Sequence, residues 1–421
     1  MNRSFKLFAL SLSLALSLGS SLFAANAPST IANDDSCDVA VMPAATLLLP
    51  YFEVNFRQNQ SETTVLTITN VTSTAQVARV TFWTDRSYPV INFNLYLTGY
   101  DTIRLNLFDI IARGIIAPDL GTGSAISPEG PYSGPNPNLD LSRCDELPGA
   151  IPQVYVRRMQ EALANGNVPA FGSLPGCPNV GGVHTNAVGY ATIDVVRTCG
   201  FLFPSDPGYI ENEIAFDNAL TGDYEQVNPT AGTEASNPLV HLRAIRKESN
   251  GKTEFPRTFY SRYQNGGTAD ARQPLPSTFA ARWVDEPSKQ TSYKIWREGV
   301  TGANAACGDY PANGAIPVSE IVVWDEEENV EGATTSATLP EAALVSIADP
   351  SVFPRAGNAT AGWTYFNLDN GALDGKATQN WVIVSNRASD NDAAALGNGC
   401  TPETATSVVS GGGVVIGPAG N

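Results

Sequence analysis

The chain has 421 residues, 43% of them apolar and 16% charged, and a formal net charge of -17 at neutral pH. So acidic a chain is a poor partner for nucleic acid or anionic lipid, whose phosphates call for a basic surface, and its apolar content excludes global disorder. The basic residues are mostly arginine, which favours fixed guanidinium–carboxylate pairing over a solvated lysine coat.

The first element in the chain is a secretory signal peptide. In MNRSFKLFALSLSLALSLGSSLFAANAP, Arg3 and Lys6 precede an apolar run from Leu7 to Leu18, and small residues follow it. The run is diluted by serines and too short to span a bilayer, which takes roughly 20 apolar residues. Cleavage is expected near Ala25, because Pro28 disfavours cutting after Ala27. Removing residues 1–25 takes Arg3 and Lys6 away and leaves a net charge of -19. No later stretch reads as a transmembrane segment, so the expected product is secreted, periplasmic or extracellular.

The six cysteines, Cys37, Cys144, Cys177, Cys199, Cys307 and Cys400, all lie beyond the signal peptide. An even number in an exported chain predicts disulfides, with the connectivity open. Cys177, His184 and Cys199 lack the close ligand pairs of a structural zinc site.

From residue 36 to 115, LLLPYFEV, TTVLTITN, AQVARVTFWTD and INFNLYLTGYDTIRLNLFDII alternate with period two and are separated by Asn, Thr, Ser, Gly and Asp. This pattern predicts short antiparallel strands and hence a mainly β fold, an immunoglobulin-like β-sandwich. Residues 116–355 read as a long, mostly β inserted region that opens on a Gly, Pro and Ser-rich loop. It carries one helix near 152–165, where PQVYVRRMQEALANG places Tyr155, Val156, Met159, Ala162 and Leu163 on one stripe and stops at Gly166. Arg157 and Arg158 read as its solvated face. Further strands are expected in AVGYATIDVV, PLVHLRAIRK, TFYSRY, TSYKIW, SEIVVWDEEE, GWTYFNLD and QNWVIVSNR, with NPTAGTEASNP as a turn-rich joint. Residues 360–402 are expected to complete the amino-terminal sandwich, and 403–421 to form a flexible tail.

Several of these words, among them LLLPYFEV, FNLYLTGYD, GYATIDVVRTC, FDNALTGDYEQVNP, RQPLPSTFAARW and QNWVIVS, resemble a family of uncharacterised secreted bacterial proteins. The resemblance implies export and one continuous architecture over most of the mature chain; it implies no activity and no catalytic residue.

Site candidates are few. GGVHTNAVGYATIDVVRTC reads as a strand from Ala187 to Val196, with Cys199 anchoring its end and His184 in the loop before it. His241 lies in a strand, LVHLRAIR. His184, His241, Asp270 and Arg272 are the weak catalytic candidates, with Ser277 a candidate by residue type alone, since no nucleophile-elbow, zinc-protease or phosphate-loop motif is present. Calcium needs hard oxygen donors, and these cluster in DEEENVEG, at Asp369 and Asp374 in LDNGALDG, and at Asp390 and Asp392, without the spacing of an EF-hand. No cofactor is required by the sequence.

Two functions compete. The first is an exported, non-catalytic β-sandwich protein with a structural, adhesive or ligand-binding role, its partner a cell-surface protein or polysaccharide. The second is an extracellular hydrolase, acting on polysaccharide, with carboxylates and Trp283, Trp296 and Trp363 lining a cleft in the inserted region. Convergence of His184, Asp194, His241, Arg243, Asp270 and Arg272 on an open cleft would favour the second; burial in closed pairs would favour the first.

Overall fold

A computed structural model describes residues 39, 41–59, 61–116, 132–140, 142, 144, 149–230, 233–246, 253, 255, 257–263, 270–287, 289–299, 316–369, 378–388, 394–398 and 408–410. They form a mostly β protein of antiparallel sheets arranged as two β-sandwiches. In the first sandwich, β1 (Thr46–Val54), β3 (Gln76–Thr84), β4 (Pro89–Leu97), β6 (Ala187–Val196) and β9 (Val240–Leu242) make one sheet in the order β4-β3-β6-β1-β9. The facing sheet is β2 (Thr63–Asn70), β5 (Thr102–Asn106), β7 (Leu220–Asn228), β8 (Thr233–Pro238) and β20 (Val408–Ser410), in the order β20-β8-β7-β2-β5. Gly222 of β7 is tightly enclosed: a Cβ there would meet the Thr67 carbonyl oxygen of β2, in its own sheet, at 2.6 Å and Leu47 of β1, in the facing sheet, at 3.0 Å.

The second sandwich is one sheet folded over at a hairpin. β10 (Thr278–Glu286) and β11 (Lys289–Arg297) pair only through Asp285–Gln290 and Glu286–Lys289, and then diverge. β10 continues into β17 (Ala361–Asn367), β13 (Glu320–Asp325) and β14 (Val330–Thr334), whereas β11 pairs with β16 (Ala342–Ser346) and β18 (Asn380–Ala388), the latter followed by β19 (Ala394–Asn398); β12 (Ile316–Pro317) and β15 (Thr338–Leu339) pair with each other alone. The halves close on Tyr293 of β11, which packs edge-on to Phe366 of β17 at 4.8 Å and donates to Thr364 Oγ1 at 3.3 Å.

This arrangement corrects the expectation that residues 360–402 complete the amino-terminal sandwich. β17 and β18 lie wholly in the second sheet, and β6, β7, β8 and β9 complete the first together with β20, which pairs with β8 and so places 408–410 of the expected flexible tail in a sheet. The period-two pattern of GWTYFNLD and QNWVIVSNR told that they are strands; which sheet they join is a long-range choice that periodicity does not encode. TFYSRY is likewise not a strand. Ser261 Oγ bonds the Thr258 carbonyl, the Tyr260 amide donates to Asp270, and 261–263 close into a 3-10 turn, so local side-chain bonds replace a ladder. Conversely, part of the joint NPTAGTEASNP is β8, paired with β7 along its length.

The helix, α1 (Gln153–Asn165), starts after Pro152 and ends at Gly166, whose φ of 63° is the left-handed conformation that glycine adopts without a Cβ penalty. Val156, Met159, Ala162 and Leu163 are buried as the stripe requires, while Tyr155 points outward. Arg158 lies along the surface and donates to the Pro169 and Pro175 carbonyls.

One apolar core runs through both sandwiches. At the joint, Trp83 of β3 stacks on Tyr190 of β6 at 5.7 Å and on Tyr263 at 6.1 Å; Tyr190 meets Trp296 of β11 at 6.0 Å, and Trp296 stacks on Phe259. Trp283 and Trp296 are core residues, which removes them as linings of a cleft. Among the described residues, no helix is long and apolar enough to cross a membrane.

Candidate functional site

The strand containing Asp194 is buried along its whole length because β1 and β3 flank it and both of its faces are covered. One face is small where packing is tight: a Cβ on Gly189 would stand 2.1 Å from the Trp83 carbonyl oxygen. The other face carries Asp194 into a polar network. Asp194 Oδ1 accepts from Thr46 Oγ1 at 2.5 Å, and Oδ2 accepts from the Tyr209 and Tyr260 hydroxyls, each at 2.7 Å. Arg272 donates through Nε to Thr46 Oγ1, pairs with Asp270 at 3.1 Å, and donates to the Ala215 carbonyl at 2.9 Å. Asp194, Asp270 and Arg272 are all completely buried. Burial pushes the Asp194 carboxyl up, opposed by Arg272, Thr46 and the two tyrosines.

Two of the four weak catalytic candidates, Asp270 and Arg272, therefore meet, and with Asp194 they close on one another away from solvent. His241 stands apart. It is buried, its Nδ1 bonded to the Leu239 carbonyl at 2.7 Å and its Nε2 accepting the Gly222 amide at 3.2 Å. These two bonds fix the neutral ring, and burial lowers its pKa. Ser277 is fully buried.

His184 is the one candidate that reaches solvent. Its backbone amide donates to the Ala164 carbonyl at the end of α1, and its Nε2 lies 3.0 Å from Asp85 Oδ2, with side-chain exposures of 29% and 4%. Asp85 sits in the β3–β4 turn, and its Oδ1 accepts the Gly182 amide at 2.8 Å. The turn places Ser87 at φ 58°, with its hydroxyl 2.6 Å from the Tyr190 hydroxyl. Behind it, the Asp85 carbonyl accepts the amides of Glu341 and Ala342 at 2.9 and 3.1 Å. Glu341 is buried, and burial pushes its carboxyl up to about 8. Arg262 completes the cluster, donating to the Tyr190 hydroxyl at 3.1 Å and lying over the Tyr263 and Trp296 rings.

Sequence reading overlooked Asp85, Arg262 and Glu341. WTDRSYP reads as an ordinary hairpin turn; the one available signal was LPEAALV, where a single acid interrupts an apolar run.

Of the calcium candidates, Asp369 is described: its Oδ1 accepts the Thr378 amide at 3.1 Å and its backbone amide bonds Asn367. Asp374, Asp390 and Asp392 lie outside the described residues. In DEEENVEG, Asp325 binds its own turn, accepting the amides of Glu327 and Asn329. Among the described residues, no three His, Cys, Asp or Glu side chains are grouped to hold a metal ion. Cys144 and Cys199 form a disulfide across 55 residues. Cys177 is also disulfide-bonded; Cys37, Cys307 and Cys400 lie outside the described residues.

No protein-family model, curated protein or solved structure matches this chain.

Proposed function

We propose that this chain is an exported, non-catalytic β-sandwich protein with a structural, adhesive or ligand-binding role at the cell surface or outside the cell. The observation that carries this reading is the closure of Asp194, Asp270 and Arg272 into one fully buried, mutually bonded set, with His241 bonded on both ring nitrogens. A general acid or base must reach its substrate, and these groups are spent inside the core. The same economy holds for Arg79 and Arg297. Arg79 is tied to Glu213, Asn94 and the Thr198 and Gly200 carbonyls, and Arg297 to the Ile316, Pro317 and Leu368 carbonyls. The signal-like amino terminus, the acidity, the disulfides and the resemblance to secreted bacterial proteins support export. Immunoglobulin-like, in this reading, means two facing antiparallel sheets and no more.

The test is to incubate the purified mature protein with a panel of insoluble and soluble polysaccharides, with and without calcium. The expected result is retention on a solid ligand or cell-envelope fraction with no release of reducing ends. Release of reducing ends that is lost in His184→Ala would overturn the reading in favour of an extracellular hydrolase.

A further inference from the structure

The β3–β4 turn of the first sandwich is seated in the second by a bond that does not belong to any sheet. The Asp85 carbonyl accepts two successive amides, Glu341 and Ala342, at the start of β16. The Glu341 side chain turns into the same joint and packs on Gly299, where a Cβ would stand 1.2 Å from Glu341 Oε1. Its Oε2 is buried without a hydrogen-bond partner among the described residues.

Among the described residues, the groups that face this carboxyl come from several elements. Asp85 comes from the β3–β4 turn with His184 bonded to it, Tyr190 from β6, Arg262 from the 261–263 turn, and Arg297 and Glu298 from the end of β11. Both arginines are engaged elsewhere, Arg262 with Tyr190 and two rings, Arg297 with backbone carbonyls. Glu298 is bound to Arg257 at 2.5 Å and to the Gln379 amide at 2.9 Å. Burial opposes an ionised Glu341 most, and the Asp85 and Glu298 carboxylates add to it. Arg262 and Arg297 favour the ionised form without overcoming the burial, so ionisation puts into a dry joint a further negative charge that the neutral carboxyl does not bring.

We propose that Glu341 is a proton-operated latch between the two sandwiches: protonated, it lets the Asp85 turn seat on β16, and deprotonated, it loosens that joint. The device makes the coupling of the sandwiches depend on ambient pH over the neutral to mildly alkaline range. Linkage sets the sign. A carboxyl held protonated in the closed joint and ionised in the open one makes opening easier by about tenfold per pH unit, until the closed form itself ionises near pH 8.

The experiment is hydrogen exchange of the full mature chain, read at the amides of Glu341 and Ala342 between pH 6 and 9 and corrected for the intrinsic base-catalysed rate. The expected result is protection that falls by about tenfold per pH unit up to pH 8 and then levels, while amides in β6 hold their protection. In Glu341→Gln, which keeps the shape and loses the titration, protection at Ala342 should not change with pH. Wild-type protection at both amides that is flat from pH 6 to 9 overturns the proposal without any variant, and so does a Glu341→Gln profile that falls as steeply as the wild type.

Discussion

Arg272 Nε and Asp194 Oδ1 lie 3.8 Å apart, and the Thr46 hydroxyl joins them, accepting from the guanidinium and donating to the carboxylate. A buried pair of this kind is held by its completeness: removing one member leaves the others charged in a dry site. Arg272→Met should therefore lower stability by about 3–5 kcal/mol, read from the urea midpoint, because both Asp194 and Asp270 lose their counter-charge. Adding Asp270→Asn to that variant should recover part of the loss. A single-variant loss under about 1 kcal/mol would show that the network contributes little.

His241 supplies an acid-side prediction. Burial lowers its pKa in the folded state, so the neutral ring contributes stability that is fully present above about pH 6.5, the unfolded value, and is lost as pH falls below it. Thermal midpoints measured from pH 7.5 to 5 should decline less steeply in His241→Gln than in the wild type. Equal slopes would mean that the ring takes up its proton as readily in the folded protein as in the unfolded chain.

Two glycines test the packing. Gly189→Ala puts a methyl group into the backbone of β3 and should cost about 3 kcal/mol, since neither strand can move without breaking the ladder between them. Gly172→Ala meets nothing within 4 Å and bears only the left-handed φ of 56°, so about 1 kcal/mol is expected. Urea midpoints in the opposite order would place the close approach elsewhere.

The disulfide between Cys144 and Cys199 closes a loop of 55 residues. Chain entropy alone gives such a bridge about 4 kcal/mol. The double variant Cys144→Ser, Cys199→Ser should lose that much in a denaturant titration, and an unchanged midpoint would show that the unfolded chain is not restrained by it.

Where local pattern decides structure, it was legible. Period two marked β1, β3, β6 and β18, and the apolar stripe with Gly166 marked α1. The mainly β class follows from these. GGVHTNAVGYATIDVVRTC reads as a strand closed by Cys199, and the disulfide sits there. What escaped depends on contacts distant in sequence. Asp194 is a lone acid in a strand until Thr46, 148 residues away, donates to it. Asp85 and Glu341 belong to different halves of the chain and meet only because a hairpin turn of one sandwich seats on the other. β8 was missed because Ser, Asn and Pro dominate it and its register is supplied by β7.

The ring stack at the joint means that the chain's two halves do not have separate interiors. Trp83 and Trp296, from different sandwiches, share Tyr190 as a neighbour. A protease that nicks the stretch between β9 and β10 severs the polypeptide without giving two free fragments, because each would carry away half of a common core. The nicked protein would stay together under native conditions and melt as one calorimetric unit.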